Sequence, residues 1–186
     1  MHCSASRASY ISNLAMPIKE ANPAAFVRSA TAADAEAIAR IYNHYIENTV
    51  ITFEEEPVSA EVMATRVADV QELGLPWLVA QLGNAIVGYA YATRWKMRSA
   101  YRHSVETTIY LEQGCERRGI GATLYSQLLS VLRERGIHVA IGGAALPNEA
   151  SVALHEKLGF ERVATFRQVG FKHGRWVDVA YWQLLL

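Results

Sequence analysis

The sequence predicts a mixed α/β fold (α+β in its ordering), one central sheet with helices on both faces. Three observations carry that expectation. Segments rich in β-branched and aromatic residues alternate with segments whose apolar residues recur at helical spacing. Glycines stand just beyond the helical segments, where a chain turns. The 186 residues, 51% of them hydrophobic, can enclose a core without disulfide or metal staples, and no internal repeat or linker divides them.

Residues 1–24 are small, polar and aperiodic and are expected to form a disordered arm, with one domain over 25–186. "FVRSAT" reads as a strand from Phe26, and Thr31 with Asp34 is a helix-opening pair. Ile38, Ala39, Tyr42, Tyr45 and Ile46 then form one helical stripe. A second helix opens at Ser59 and stops near Gly74. "WLVAQ" and "AIVGYAYATRW" make a β-hairpin across Gly83-Asn84. There follow a strand, "SVETTIYLE"; a helix from Gly121 to Arg135; a strand, "HVAIGGAAL"; a short helix from Ala150 to Leu158; and two strands, "ERVATFRQVGF" and "WVDVAYWQLLL".

Basic and acidic residues balance at 18 each, so the chain offers no general attraction to nucleic acid or an anionic membrane. Any anion must be held by local charge. The two cysteines, Cys3 and Cys115, are too few and too distant for a disulfide framework or a four-ligand metal site, and no metal is expected. A reducing cytoplasm is the expected setting, since no segment reads as a membrane span or secretory signal.

The stretch Gly114-Cys115-Glu116-Arg117-Arg118-Gly119-Ile120-Gly121 joins a strand to a helix. Unpaired amides at a helix start, two glycines and two arginines suit a pyrophosphate. A P-loop would need Gly-Lys-Ser/Thr, and a dinucleotide fingerprint a glycine at Leu124; both are absent. Taken alone, the turn reads equally well as a solvated glycine-rich connection with two surface arginines.

The turn together with "PNEASVALHEKLGF" resembles the GNAT superfamily of acyl-CoA-dependent N-acetyltransferases over about residues 26–186. Within it, "IENTVITFEEEPV", "WKMRSAY", "VETTIYL", "LHEKLGF" and "GFKHGRWVDVAYWQ" are similar, in order, to the phosphinothricin and methionine sulfone acetyltransferase group. The resemblance implies a mostly antiparallel sheet of about seven strands and acetyl-CoA as cosubstrate. It places the coenzyme against Arg117, Arg118, Gly119, Ile120, Gly121, Ala122, Asn148, Ser151, Lys157, Gly159 and Phe160, with its thioester arm along Ile109, Tyr110 and Leu111. Glu116 departs from the usual Gln or Arg and sets a carboxylate beside the expected phosphates.

The resemblance also puts the general base at Glu106. Alternation supports this, since it groups Glu106, Thr108 and Tyr110 on one strand face, opposite Val105, Thr107, Ile109 and Leu111. Burial there raises a carboxylate's pKa toward a base's working range, although a structural ion pair accounts for a strand glutamate equally simply. A strand splayed beside the base would free backbone N–H groups for an oxyanion. His155 falls where many superfamily members carry a thiolate-protonating tyrosine. Lys96, Met97, Arg98 and Tyr101 form a cationic and aromatic acceptor segment suited to an amino-acid carboxylate. Phe53 is expected to close that pocket, and Thr107 and Thr108 to line it beside Glu106. Trp176, Tyr181 and Trp182 read as core and subunit contact, the family expectation being a homodimer. Alternatives are acetylation of another small amine and a non-catalytic acyl-CoA-binding sensor.

Overall fold

The computed structural model describes residues 25–186; the expected arm 1–24, with Cys3, lies outside them. Its elements follow the expected order: β1 Phe26–Ser29, α1 Ala35–Asn48, α2 Ala60–Glu72, β2 Trp77–Leu82, β3 Ala85–Arg94, β4 Ser104–Leu111, α3 Ile120–Glu134, β5 Val139–Ala145, α4 Glu149–Lys157, β6 Glu161–Lys172 and β7 Arg175–Leu185. The seven strands lie in the order β1-β2-β3-β4-β5-β7-β6. Among the described residues only the β4–β5 pair is parallel; the other pairs are antiparallel.

Sequence chemistry explains the helix starts. Thr31 and Asp34 frame a 3-10 turn over Ala32–Asp34 that leads into α1. The Asp34 carboxylate accepts from the Thr31 N–H at 2.8 Å and from two Arg28 N–H groups at 2.8 and 2.7 Å. The Arg28 guanidinium pulls its pKa down to about 2, against the opposing effect of burial. Ser59 caps α2 by accepting from the Val62 N–H at 3.3 Å, and Asn43 of α1 closes the connection between the helices through both polar groups of Val58.

Successive β4 residues point to opposite faces, and the helices divide accordingly. Tyr42 and Tyr45 of α1 pack on Tyr110, with ring centroids 5.2 and 4.9 Å away. On the other face Tyr125 of α3 meets Thr107. Ile38, Met63, Val67, Val79, Leu124, Leu128 and Leu132 are among the side chains buried between these layers. Each contributes about 1.5–3 kcal/mol by leaving water.

The C-terminal aromatics divide three ways. Trp182 is fully buried and Trp176 is exposed, so the first is core and the second surface. Tyr181, expected with them, is half-buried and turned toward Glu106, as described below. β6 is an edge strand with Val163, Phe166, Val169 and Phe171 exposed.

Candidate active site

The site forms where β4 and β5 part. Their parallel pairing runs from Ser104↔Val139 to Thr107↔Gly142 and stops, although β4 continues to Leu111 and β5 to Ala145. Antiparallel bonding to β3 alternates along β4, as fixed by Trp95 N–H to the Ser104 carbonyl at one end and Glu112 N–H to the Val87 carbonyl at the other. The backbone groups of Ile109 and Leu111 therefore face the opening, while those of Tyr110 serve the β3 ladder. Tyr45 donates to the Leu111 carbonyl at 2.7 Å. The remaining groups facing the gap are the Ile109 N–H and carbonyl and the Leu111 N–H, a short row suited to an extended amide-bearing arm. Of the three expected arm residues, Tyr110 contributes its ring to the tyrosine cluster instead.

At one end of the gap stands the glycine-arginine turn. Gly114, Arg117 and Gly119 take left-handed φ values of 83°, 59° and 80°, which fold the loop back and let Gly119 open α3. The N–H groups of Ile120, Gly121 and Ala122, in the first turn, have no intrahelical partner. A Cβ on Gly121 would lie 3.4 Å from Leu111 Cδ1, so the helix start sits directly against the open end of β4. Arg117 and Arg118 are exposed. Glu116, itself exposed, turns its carboxylate back to accept from the Gly114 N–H at 2.9 Å. Across the gap, Asn148 caps α4 by accepting from the Ser151 N–H at 3.1 Å, and both line the cleft with Thr108, Ile109 and His155. Lys157 is exposed at the far end of α4. Chemically, these amides, arginines and open strand edge fit a pyrophosphate with an extended amide chain attached.

Glu106 sits at the last paired rungs, half-buried. Burial raises its carboxyl pKa, and the Lys96 charge opposes the rise to a smaller extent. Beneath it, β5 carries Gly143, where a Cβ would lie 3.5 Å from Glu106 Oε1 and 3.0 Å from Tyr181 Cε1. The missing side chain lets the Tyr181 ring lean toward Glu106, whose charge, after burial, raises the phenol's pKa. Sequence reasoning placed Tyr181 elsewhere; its signal was the Gly142-Gly143 pair inside a strand, which marks close approach by a neighbour.

The acceptor segment separates into two groups. Lys96 lies 4.7 Å over the Trp95 ring and its charge reaches Glu106. Met97 is 80% exposed, and Arg98 is exposed at the start of a 3-10 turn that carries Tyr101. Thr108 shares the Glu106 face, but Thr107 does not. Strand alternation buries Thr107 on the opposite face, its hydroxyl 2.6 Å from the Tyr125 hydroxyl and 3.1 Å from the Ile141 carbonyl. Thr107 is therefore a strut rather than an acceptor contact.

His155 is buried, at 4% exposure. Its Nδ1 lies 2.7 Å from the Ser151 carbonyl and its Nε2 3.2 Å from the Tyr125 hydroxyl. Burial lowers its pKa, which favours the neutral ring. A carbonyl only accepts, so Nδ1 carries the proton and Nε2 accepts from Tyr125. The ring stacks on Trp182 at 5.4 Å, and a Cβ on Gly142 would fall 2.1 Å from Nε2. Both nitrogens are committed, and the one N–H is spent on Ser151. This arrangement does not support the expected delivery of a proton to a thiolate.

The fold and site agree with sequence relationships. The profile of the Acetyltransferase (GNAT) domain family matches residues 27–181. A phosphinothricin N-acetyltransferase of Streptomyces viridochromogenes is 41% identical over 84% of this chain and 85% of its own. An L-methionine sulfoximine/L-methionine sulfone acetyltransferase of Salmonella typhimurium is 35% identical over 86% and 94%. The crystal structure of a GNAT superfamily phosphinothricin acetyltransferase from Sinorhizobium meliloti, in complex with AcCoA, superposes with a TM-score of 0.85 at 39% identity, covering 88% of this chain and 89% of that one. A match of this extent, on a sheet that parts beside a glycine-arginine turn, settles the relationship: the chain belongs to the GNAT acetyltransferase family, which uses acetyl-CoA.

Proposed function

We propose that this enzyme acetylates the α-amine of a small L-amino acid analogue of the phosphinothricin, methionine sulfone or methionine sulfoximine type, by direct transfer. The observation that carries the reading is the position of Glu106, a half-buried carboxylate of raised pKa at the point where β4 leaves β5. Acetyl-CoA, when bound, supplies the activated acetyl thioester. The first-turn amides of α3, with Arg117 and Arg118, hold its pyrophosphate, and Ile109 and Leu111 hold its arm.

Glu106 takes a proton from the substrate ammonium, directly or through a water, and so exposes the nitrogen lone pair. Lys96 and Arg98 supply positive charge for the substrate carboxylate, Tyr101, Thr108 and Tyr181 wall the acceptor side, and Phe53 covers it. The N–H groups at the strand opening meet the acetyl carbonyl oxygen as charge grows on it. His155 positions the last β4–β5 rung through Tyr125 and Thr107. The relatives' names support the acceptor class. The exposed apolar residues of β6, with Trp176 of β7 beside them, support a homodimer formed through this hairpin, which light scattering tests.

The reaction is tested by thiol release from acetyl-CoA with methionine sulfone, methionine sulfoximine, phosphinothricin and carboxylate-free amines. Turnover restricted to the carboxylate-bearing amines is expected. Equal turnover of carboxylate-free amines would reject the acceptor assignment, and coenzyme binding without any turnover would favour a sensor.

A further inference from the structure

Two sequence segments far apart in the chain, VITFEEEP and GFKHGRW, meet in the folded protein. Lys172, near the end of β6, is 1% exposed. Its Nζ donates to the Thr52 carbonyl at 2.9 Å, across 120 positions. Two residues earlier, on the same strand face, a Cβ built on Gly170 would lie 2.2 Å from Cε1 and Cζ of Phe53. The Phe53 ring therefore lies in the space that a side chain at 170 would occupy.

The neighbours of Phe53 are held as well. Thr52 Oγ1 lies 2.7 Å from the Tyr42 hydroxyl, and Glu54 receives two Arg66 N–H groups at 2.7 and 3.0 Å. Phe53 itself is 41% exposed, with one face of its ring seated on Gly170. Its loop stands beside the base. Val50 clusters with Ala145 and Val177, and Ala145 is two residues beyond Gly143, on the β5 face that Glu106 overlies. That spacing is about 7 Å along the strand.

Burying an ammonium is costly, and an apolar side chain of similar length would fill the space without that cost. What Lys172 adds is a directed bond to one carbonyl. Burial lowers its pKa, opposed by Glu55 and Glu54.

We propose that Gly170 and Lys172 are specificity-determining positioning residues: they seat Phe53 at a fixed depth and so set the length of acceptor side chain the pocket admits. The proposal rests on the acceptor reading above and deepens it. Any side chain at 170 pushes the Phe53 ring off its seat, and loss of the Lys172 ammonium frees the backbone that carries it.

The test compares wild type, Gly170→Ala, Phe53→Ala, the double variant and Lys172→Met, all as full-length chain. In Gly170→Ala the KM for methionine sulfone should rise about tenfold, as overpacking displaces the ring, with the KM for acetyl-CoA within about twofold. In the Phe53→Ala background the same substitution should add nothing. An equal effect in that background, or acetyl-CoA and acceptor constants moving together, overturns the proposal. Amide hydrogen exchange provides a readout independent of turnover. Residues 50–56 should exchange faster in Gly170→Ala and Lys172→Met while 104–111 do not, and unchanged exchange in 50–56 overturns the seat. If wild type acetylates no amino acid analogue, the acceptor reading fails, and the exchange result still decides whether the seat exists.

Discussion

Tyr125 and His155 are joined across two helices, hydroxyl to Nε2 at 3.2 Å, directly above the last rung that β4 and β5 share. With Thr107 2.6 Å from the same hydroxyl, the trio ties α3, α4 and β4 together where the sheet opens. Its chemistry is that of a strut. His155→Ala would remove the stack on Trp182 and leave Tyr125 without its acceptor, at a cost of about 2–4 kcal/mol. Denaturant unfolding should show that loss, whereas kcat measured well below the melting temperature should fall far less than loss of a proton donor requires.

The same burial has a pH consequence. His155 is held below its ordinary value of 6.5, so the unfolded chain binds the proton more readily than the folded one. This contribution to stability is complete above pH 6.5 and declines as the pH falls through the folded-state value. A Tm series from pH 8 to pH 5 should decline from this source in wild type and more shallowly in His155→Gln, measured against that variant's own maximum.

Lys96 acts on Glu106 through charge. Because the ammonium opposes the rise in the Glu106 pKa, Lys96→Met should move the acidic limb of the kcat/KM profile to higher pH. A limb that stays in place or moves down would separate the two residues.

Arg98 is exposed and supplies its charge from the rim. Arg98→Ala should raise KM about three- to tenfold for a substrate with a free carboxylate and leave its carboxamide unaffected, in line with a screened charge-assisted contact. Equal effects on both substrates would reject the carboxylate grip.

Glu116 bears on the coenzyme. Gln at this position can still accept from the Gly114 N–H, which Glu116 now does at 2.9 Å, but brings no negative charge toward the phosphates. Calorimetry should find coenzyme A bound about two- to fivefold more tightly by Glu116→Gln at low salt, with the gap closing as salt rises. Unchanged affinity would mean that the carboxylate is remote from the phosphates.

Much of this was legible in the sequence because it depends on local rules. Helix starts at Thr31 and Ser59, the hairpin at Gly83 and the turn before α3 follow from capping and backbone preferences of neighbouring residues. Strand alternation puts Glu106 and Thr107 on opposite faces, and the Thr107 hydroxyl is taken up by Tyr125 and Ile141, partners that lie far along the chain. Two other relationships depend on sheet register. Tyr181 faces Glu106 because β7 pairs with β5 opposite Gly143, and Lys172 meets Thr52 because β6 returns past the loop after α1. His155 differs for a third reason: helical spacing places it at the cleft, but does not show the commitment of its two ring nitrogens to Ser151 and Tyr125.

The account turns on Glu106, and Glu106→Gln tests it most directly. Single-turnover acetylation of methionine sulfone should slow about 10²- to 10⁴-fold, while the Kd for acetyl-CoA stays within about twofold because the carboxylate stands apart from the coenzyme's binding groups. Turnover equal to wild type, with the coenzyme bound normally, would contradict the assignment of Glu106 as the base.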